Sequence, residues 1–391
     1  MSRRAARIEE DVVALARDLI AIESHALARG REAAVAEYLA GWFRARGVET
    51  ELLPAVGDRA NLVARASFGA GPTLLLNGHL DTVPAGEMQD AFAPRIESGI
   101  LHGRGACDMK GAVAAMACAL LACEADDDGR RALRGTLVFA GTVDEETGSQ
   151  GVKRLLESGV TADAAVVGEP TDLRLAIAHK GACFVRVRLT GRGAHGSCPQ
   201  EGTNAASYGA RVVAALEDHL QPQLARRSYP LLGPATLCVG RICGGTEPNI
   251  VAERCEIDID RRTLPGEHDA LREIVDVVER VCANVPGLTV EVYETERTAV
   301  VPHVALGTPP EAPIAQAAAA ACRALGLADE PVGVTYWTDG AHLAANGIET
   351  IVLGPGKIAD AHGPRDQVRV ADLVTAVAMY SGIGKRMLSA S

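Results

Sequence analysis

The sequence predicts an α/β domain with a largely parallel sheet, interrupted by a small α+β insert. Three observations lead there. Strand-length apolar runs alternate with helix-length amphipathic runs through the first 178 residues. Over residues 179–293 the rhythm changes to paired strands flanked by two helices. The first rhythm then resumes to the C-terminus, so the expected division is 1–178 with 294–391 as one domain and 179–293 as the insert.

In chain order, Ile8, Val12, Leu15, Leu19 and Ile22 recur at helical spacing and predict a helix over 8–23. Glu9, Glu10, Asp11, Arg17 and Asp18 interrupt any apolar stretch there, which argues against a targeting signal. A second helix is expected over 31–46, then strands near 48–53, 61–66 and 73–77. An Ala-rich helix should run over 108–123, and a charged loop over 124–134. A strand (133–140), a helix (149–157) and a strand (164–167) follow. In the insert, alternating Val185, Val187 and Leu189 predict a half-buried strand. After it come a helix at 203–220, strands at 235–242 and 254–260, a helix at 267–282 and a strand at 288–293. The last expected elements are a helix at 313–325, a strand at 349–352 and a helix from Val370.

Composition narrows the function. The 391 residues are 48% hydrophobic but only 3% aromatic, so the core must be packed with aliphatic and small side chains. The formal charge of -11, from 50 acids against 39 bases, argues against a nucleic-acid partner, because phosphate binding needs clustered positive charge. No apolar run approaches the roughly 20 residues that span a bilayer, so no membrane partner is expected. The ten cysteines are scattered with no C-x-x-C pair, which speaks against a thiolate metal cluster. Reduced, buried thiols in a cytoplasmic protein are the expectation.

The chemistry sits where expected strands end. His79 and Asp81, in Gly78-His79-Leu80-Asp81, follow the strand at 73–77 at its C-terminal end, the edge at which α/β sheets gather ligands. An imidazole is a good metal ligand, and a carboxylate on its other nitrogen fixes its tautomer. Asp108 closes Gly103-Arg104-Gly105-Ala106-Cys107-Asp108 ahead of a helix. It could simply cap that helix, or its two oxygens could face two different cations. Asp144-Glu145-Glu146 crowds acids past a strand, a costly arrangement that bound cations relieve. One of the glutamates can ligate while its neighbour acts as general base. Glu169, in Gly168-Glu169-Pro170-Thr171, and His362, in Ala361-His362-Gly363-Pro364, also follow strands. Alone each signal is weak. Together, two histidines and several carboxylates at one sheet edge form an N/O ligand set suited to zinc, cobalt or manganese.

With these motifs, in this order and spacing over nearly the whole chain, the sequence resembles the co-catalytic zinc amidohydrolases. That family includes acetylornithine deacetylase, succinyl-diaminopimelate desuccinylase, aminoacylase and carboxypeptidase G. The resemblance implies a zinc-exopeptidase-like catalytic domain and a ferredoxin-like lid and dimerisation domain. It implies two divalent ions per chain, with zinc first and cobalt or manganese as alternatives. His79, Asp108 and Glu169 would hold one ion, and Asp108, Glu146 and His362 the other. Glu145 would be the general base and Asp81 the partner of His79. His195, in Gly193-Ala194-His195-Gly196-Ser197, would reach the active site of the other subunit in a homodimer and stabilise the oxyanion. Asn249 and Arg261 would engage a carboxylate on a small-molecule substrate, with Thr338 and Gly340 on a substrate-side loop. Gly363 and Asp366 depart from the family's usual residues after the last histidine, and Ala112 stands where a second glycine is common.

The activity so implied is hydrolysis of the amide bond of an N-acyl amino acid. A dipeptidase or carboxypeptidase with the same two-metal site is the nearest rival, and a non-catalytic binding protein on this fold the remote one.

Overall fold

A computed structural model describes residues 3–124, 133–299 and 301–389. The charged loop expected at 124–134 falls almost wholly outside them. The chain divides into two compact units. The first comprises residues 1–178, 307–334 and 338–391, and the second 179–306 with 335–337.

The first unit is built on a mixed sheet. Its strands run in the order Glu49–Val56, Arg59–Ser67, Thr136–Thr142, Thr73–His79, Ala164–Val167, Glu349–Val352, Ala176–His179, with short strands beyond. The four from Thr136–Thr142 to Glu349–Val352 are mutually parallel, and the margins are antiparallel. Central strands buried on both faces read as continuous apolar runs, which is why Leu74, Leu75, Leu76 and Ala164 to Val167 are all buried. The helix Lys110–Glu124 packs against the helices Arg3–Ala21 and Val370–Met387. Ala112, Ala114, Ala115, Ala117 and Ala119 are small enough for the helix to be buried on every side there. No described helix is long and apolar enough to cross a membrane.

Two features of this unit position the site. Gly78 and Gly168 precede His79 and Glu169 on neighbouring strands. A Cβ on either would lie 2.8 Å from the Met109 methyl, so the two glycines let this segment pack closely on the sheet, and a larger residue would push the Met109 side chain aside. The second feature escaped the sequence reading. A three-stranded sheet of Arg95–Glu97, Ile100–His102 and Gln367–Arg369 pairs Gln367 with His102. Strands of three residues carry too little pattern to be read, yet this one lays the loop that leads to Asp108 alongside the loop that follows His362.

The second unit has an antiparallel sheet ordered Thr236–Gly244, Arg254–Thr263, Gly181–Thr190, Thr289–Glu294. The helices Ala205–Ala215 and Ala270–Cys282 pack on it. Val185, Val187, Leu189, Cys255, Ile257 and Ile259 are buried, while Arg186, Arg188, Glu256 and Asp258 alternate with them and pair across strands. The helix expected to run unbroken over 203–220 instead widens to a π turn at Leu216–Leu220 before a last turn, Gln221–Leu224. Leu216, Leu220 and Leu224, four residues apart, are all buried.

Candidate active site

His79 ends its strand opposite Thr142, and Gly168 N–H donates to Asn77 O at 3.0 Å. The segments leaving the parallel strands therefore emerge side by side, carrying His79, Glu145 with Glu146, and Glu169 to one edge. Asp108 and His362 arrive there from the two paired loops.

These side chains converge. The Asp108 carboxylate lies between the histidines, with Oδ1 3.0 Å from His79 Nε2 and Oδ2 3.1 Å from His362 Nε2. Glu169 Oε1 is 3.7 Å from His79 Nε2, and Glu146 Oε1 is 3.0 Å from His362 Nε2. Ligand atoms of His79, Asp108 and Glu146 lie within 4.8 Å of one another. Asp108 is thus engaged by two histidines two residues ahead of the helix that starts at Lys110, and the simple capping reading of it fails. One imidazole and one outer carboxylate on each oxygen of a shared carboxylate is a donor set that fits two divalent cations.

The electrostatics agree. Burial pushes the Glu145 and Glu169 carboxyls well above the usual range, and neighbouring acids add to it. Burial raises Glu146 as well. Asp108 goes the other way: burial opposes ionisation, but hydrogen bonds from His362 and His79 hold it below the ordinary carboxylate range. His79 resists charging by burial, yet Asp108 and Asp81 beside it win and raise its pKa. Asp108 and Glu146 push His362 to about 10. More acids are gathered here than two imidazoles can neutralise, and bound cations would relieve the excess.

Other residues hold these in place. His79 Nδ1 lies 3.0 Å from Asp81 O and 3.5 Å from Asp81 Oδ1. The Asp81 carboxylate also accepts the N–H groups of Glu145 at 3.2 Å and Glu146 at 2.9 Å, so it orients the acid pair as well as the histidine. Asp366, fully buried, accepts from Gly105 N and Cys107 N, both at 2.7 Å, and from Arg104 Nη1 at 3.2 Å. Arg104 Nη2 reaches the carbonyls of Ala85 and Gly363 at 3.1 Å each. The departure at 366 therefore ties the Asp108 loop to the His362 loop, and Gly363 contributes only its carbonyl. Buried Lys110 donates to Ile22 O at 2.6 Å, and burial lowers its pKa to about 7. Asp339 accepts from Thr142 Oγ1 at 3.0 Å, and burial raises it to about 7. Arg104 lies inside the motif at 103–108 and Lys110 two residues beyond it, but neither role is legible in sequence, since both depend on carbonyls that no motif displays.

Not every expected residue joins the cluster. Thr338 and Gly340 are buried, and Gly340 N–H donates to Thr338 Oγ1 at 3.1 Å; they shape a turn and offer no surface to a substrate. Arg261 needs a larger correction. On the strand Arg254–Thr263 it falls on the core face with Ile257 and Ile259 and is 0% exposed. Its Nη2 is bonded to Glu267 at 3.0 Å and Glu273 at 3.3 Å. Strand alternation puts Arg262 on the opposite face, where it binds Asp260 and lies over the Phe184 ring. In the same unit, Gly196 N–H donates to Asn249 O at 2.7 Å and His195 bridges Ile250, which brings His195 and exposed Asn249 together. Ser197 N–H donates to His195 Nδ1 at 3.2 Å. With Nδ1 as acceptor, the neutral ring carries its proton on Nε2.

The profile of peptidase family M20/M25/M40 matches residues 75–386. An acetylornithine deacetylase of Proteus mirabilis is 32% identical over 351 residues, covering 86% of each chain. One of Salmonella arizonae is 33% identical over 338 residues, 83% of each. Among solved structures, a Staphylococcus aureus tripeptidase superposes with a TM-score of 0.79 at 22% identity, covering 96% of this chain and 98% of its own. Human carnosine dipeptidase 1 gives 0.74 at 16%, covering 98% and 97%. Profile, relatives, fold and donor set agree: the chain belongs to peptidase family M20/M25/M40 and is a metal-dependent hydrolase of amide bonds.

Proposed function

We propose that the protein removes the acyl group from an N-acyl amino acid, with Glu145 as general base. The observation that carries this reading is the Asp108 carboxylate spanning two histidines, with Glu145 on the same turn as Glu146 but outside the donor set. His79, Asp108 and Glu169 would hold one divalent ion, and Asp108, Glu146 and His362 the other, with zinc suited to both. When bound, such ions polarise a carbonyl and acidify a water. Glu145, its carboxyl confined among buried groups, takes the proton of the attacking water and returns it to the leaving nitrogen. His195 donates Nε2–H to the oxyanion, reaching it from the partner in a homodimer.

The deacetylases named above, related over most of the chain, favour an N-acyl amino acid over a peptide. Amine release from N-acetyl and N-succinyl amino acids and dipeptides, after metal stripping and reloading with zinc, cobalt or manganese, tests it. Turnover confined to dipeptides would replace the deacylase reading with the peptidase one.

For the substrate carboxylate we assign Arg262, with Asn249, in place of Arg261. A guanidinium on the open face can exchange Asp260 for a ligand carboxylate, whereas Arg261 would have to leave the core. Arg262→Ala is expected to raise KM about tenfold or more with the fold intact. Arg261→Ala instead strips buried Glu267 and Glu273 of their partner and should lower the melting temperature. A KM effect confined to Arg261→Ala would reverse the assignment.

A further inference from the structure

We infer that Arg59 and Glu32, which no motif singles out, are positioning residues that aim Glu145, acting through Asp144. The inference rests on the general-base role given to Glu145 above.

Glu32 stands just ahead of the helix Ala33–Arg44, and Arg59 opens the strand Arg59–Ser67. Both are buried. Arg59 Nη1 donates to both Glu32 oxygens, at 2.8 and 3.1 Å. Nη1 and Nη2 each donate to Asp144 Oδ1 at 3.1 Å. Glu32 Oε1 in turn accepts Asp144 N–H at 2.9 Å. Asp144 is therefore gripped at its backbone and at its carboxylate.

That grip matters because of what Asp144 does to the chain. Its φ is +72°, in the left-handed region, and its carbonyl accepts the N–H groups of Gly148 and Ser149. The turn so fixed places Glu145 as the next residue. Two positions along the Arg59 strand, Asn61 accepts Val143 N–H at 3.1 Å and donates to Gly151 O at 2.8 Å, clamping both ends of the same loop. Among the described residues no side-chain hydrogen bond holds the Glu145 carboxyl itself, so its aim depends on the backbone that carries it. Stability alone is a weak reason for burying one cation with two anions, since such groups are often replaceable by apolar ones without loss. What an apolar cluster could not supply is the directional hold on Asp144.

The test is a double-mutant cycle on the metal-loaded protein. Arg59→Lys keeps the cation but loses the two-pronged donation to Asp144, and Glu32→Gln is the second variant should the first not fold. Each is measured for kcat, KM and bound metal, in the native background and in Glu145→Gln. In the native background kcat should fall about tenfold or more, as expected when a reacting group is slightly misplaced. KM should change less than about twofold, and metal content not at all. In the Glu145→Gln background the same substitution should change the residual rate by less than about twofold, because the group it aims is gone. Equal fold-losses in both backgrounds would overturn the inference, as would a loss of metal that accounts for the fall in kcat. If Glu145→Gln alone keeps most of the native rate, it is the general-base reading that fails, and that is seen before any Arg59 or Glu32 variant is compared.

Discussion

Glu145→Gln is expected to lower kcat by about 10²–10⁴-fold, the usual worth of a positioned general base, while each chain keeps its full metal content. Gln preserves shape and burial but cannot take a proton. Glu145 is not among the groups paired with His79 or His362, so its loss leaves both donor sets whole. Its neighbour on the same turn gives the contrast, since Glu146 Oε1 lies 3.0 Å from His362 Nε2 and its removal should cost metal first. KM should stay close to native, because the proton transfer belongs to the transition state and not to binding. The variant also tests the homodimer. Mixed with His195→Ala chains, each mixed dimer would regain a site with Glu145 from one chain and His195 from the other. Recovery of activity on mixing supports the trans role. Dimers that exchange chains without recovery would end it, and a Glu145→Gln enzyme with most of its activity would end the base role.

How much of this was legible follows from how local each interaction is. The parallel centre could be read because Leu74 to Leu76 and Ala164 to Val167 are unbroken apolar runs of strand length. His79, Glu146 and Glu169 could be read because each comes just after such a run, while Asp108 and His362 stood out only by their Gly-containing motifs. Arg59 and Glu32 could not. They meet Asp144 from 85 and 112 residues away, and neither sits in a pattern that differs from an ordinary surface ion pair. Asp366 was noticed as a departure, but its function became visible only once Gln367 was seen paired with His102. Arg261 shows the cost of reading a motif without its strand. Two adjacent arginines look equivalent in sequence, yet alternation sends one into the core with two glutamates and leaves its neighbour on the open face.

Asp108→Asn should be as damaging as Glu145→Gln by a different route. Among the described residues Asp108 is the only group placed between both histidines, with one oxygen to each. An amide can offer a single oxygen, without charge, so one of the two donor sets loses a member whichever way the amide is turned. The expected result is at most about one tightly held ion per chain after dialysis, measured by elemental analysis, and a fall in kcat/KM of about 10³-fold or more that excess metal does not restore. Thermal melting adds an independent reading. A cation that binds the folded chain raises its melting temperature by mass action, so the native protein should gain more from added metal than the Asp108→Asn protein does. Glu169→Ala, which removes a carboxylate from the His79 side alone, should fall between the two. If the Asp108→Asn protein held two ions and turned over normally, the carboxylate would not be the bridge, and the pairing of His79 with His362 through it would be a feature of the metal-free protein only. Taken with Glu145→Gln, the pair separates the two jobs: one substitution removes the rate and keeps the metal, and the other loses the rate because it loses the metal.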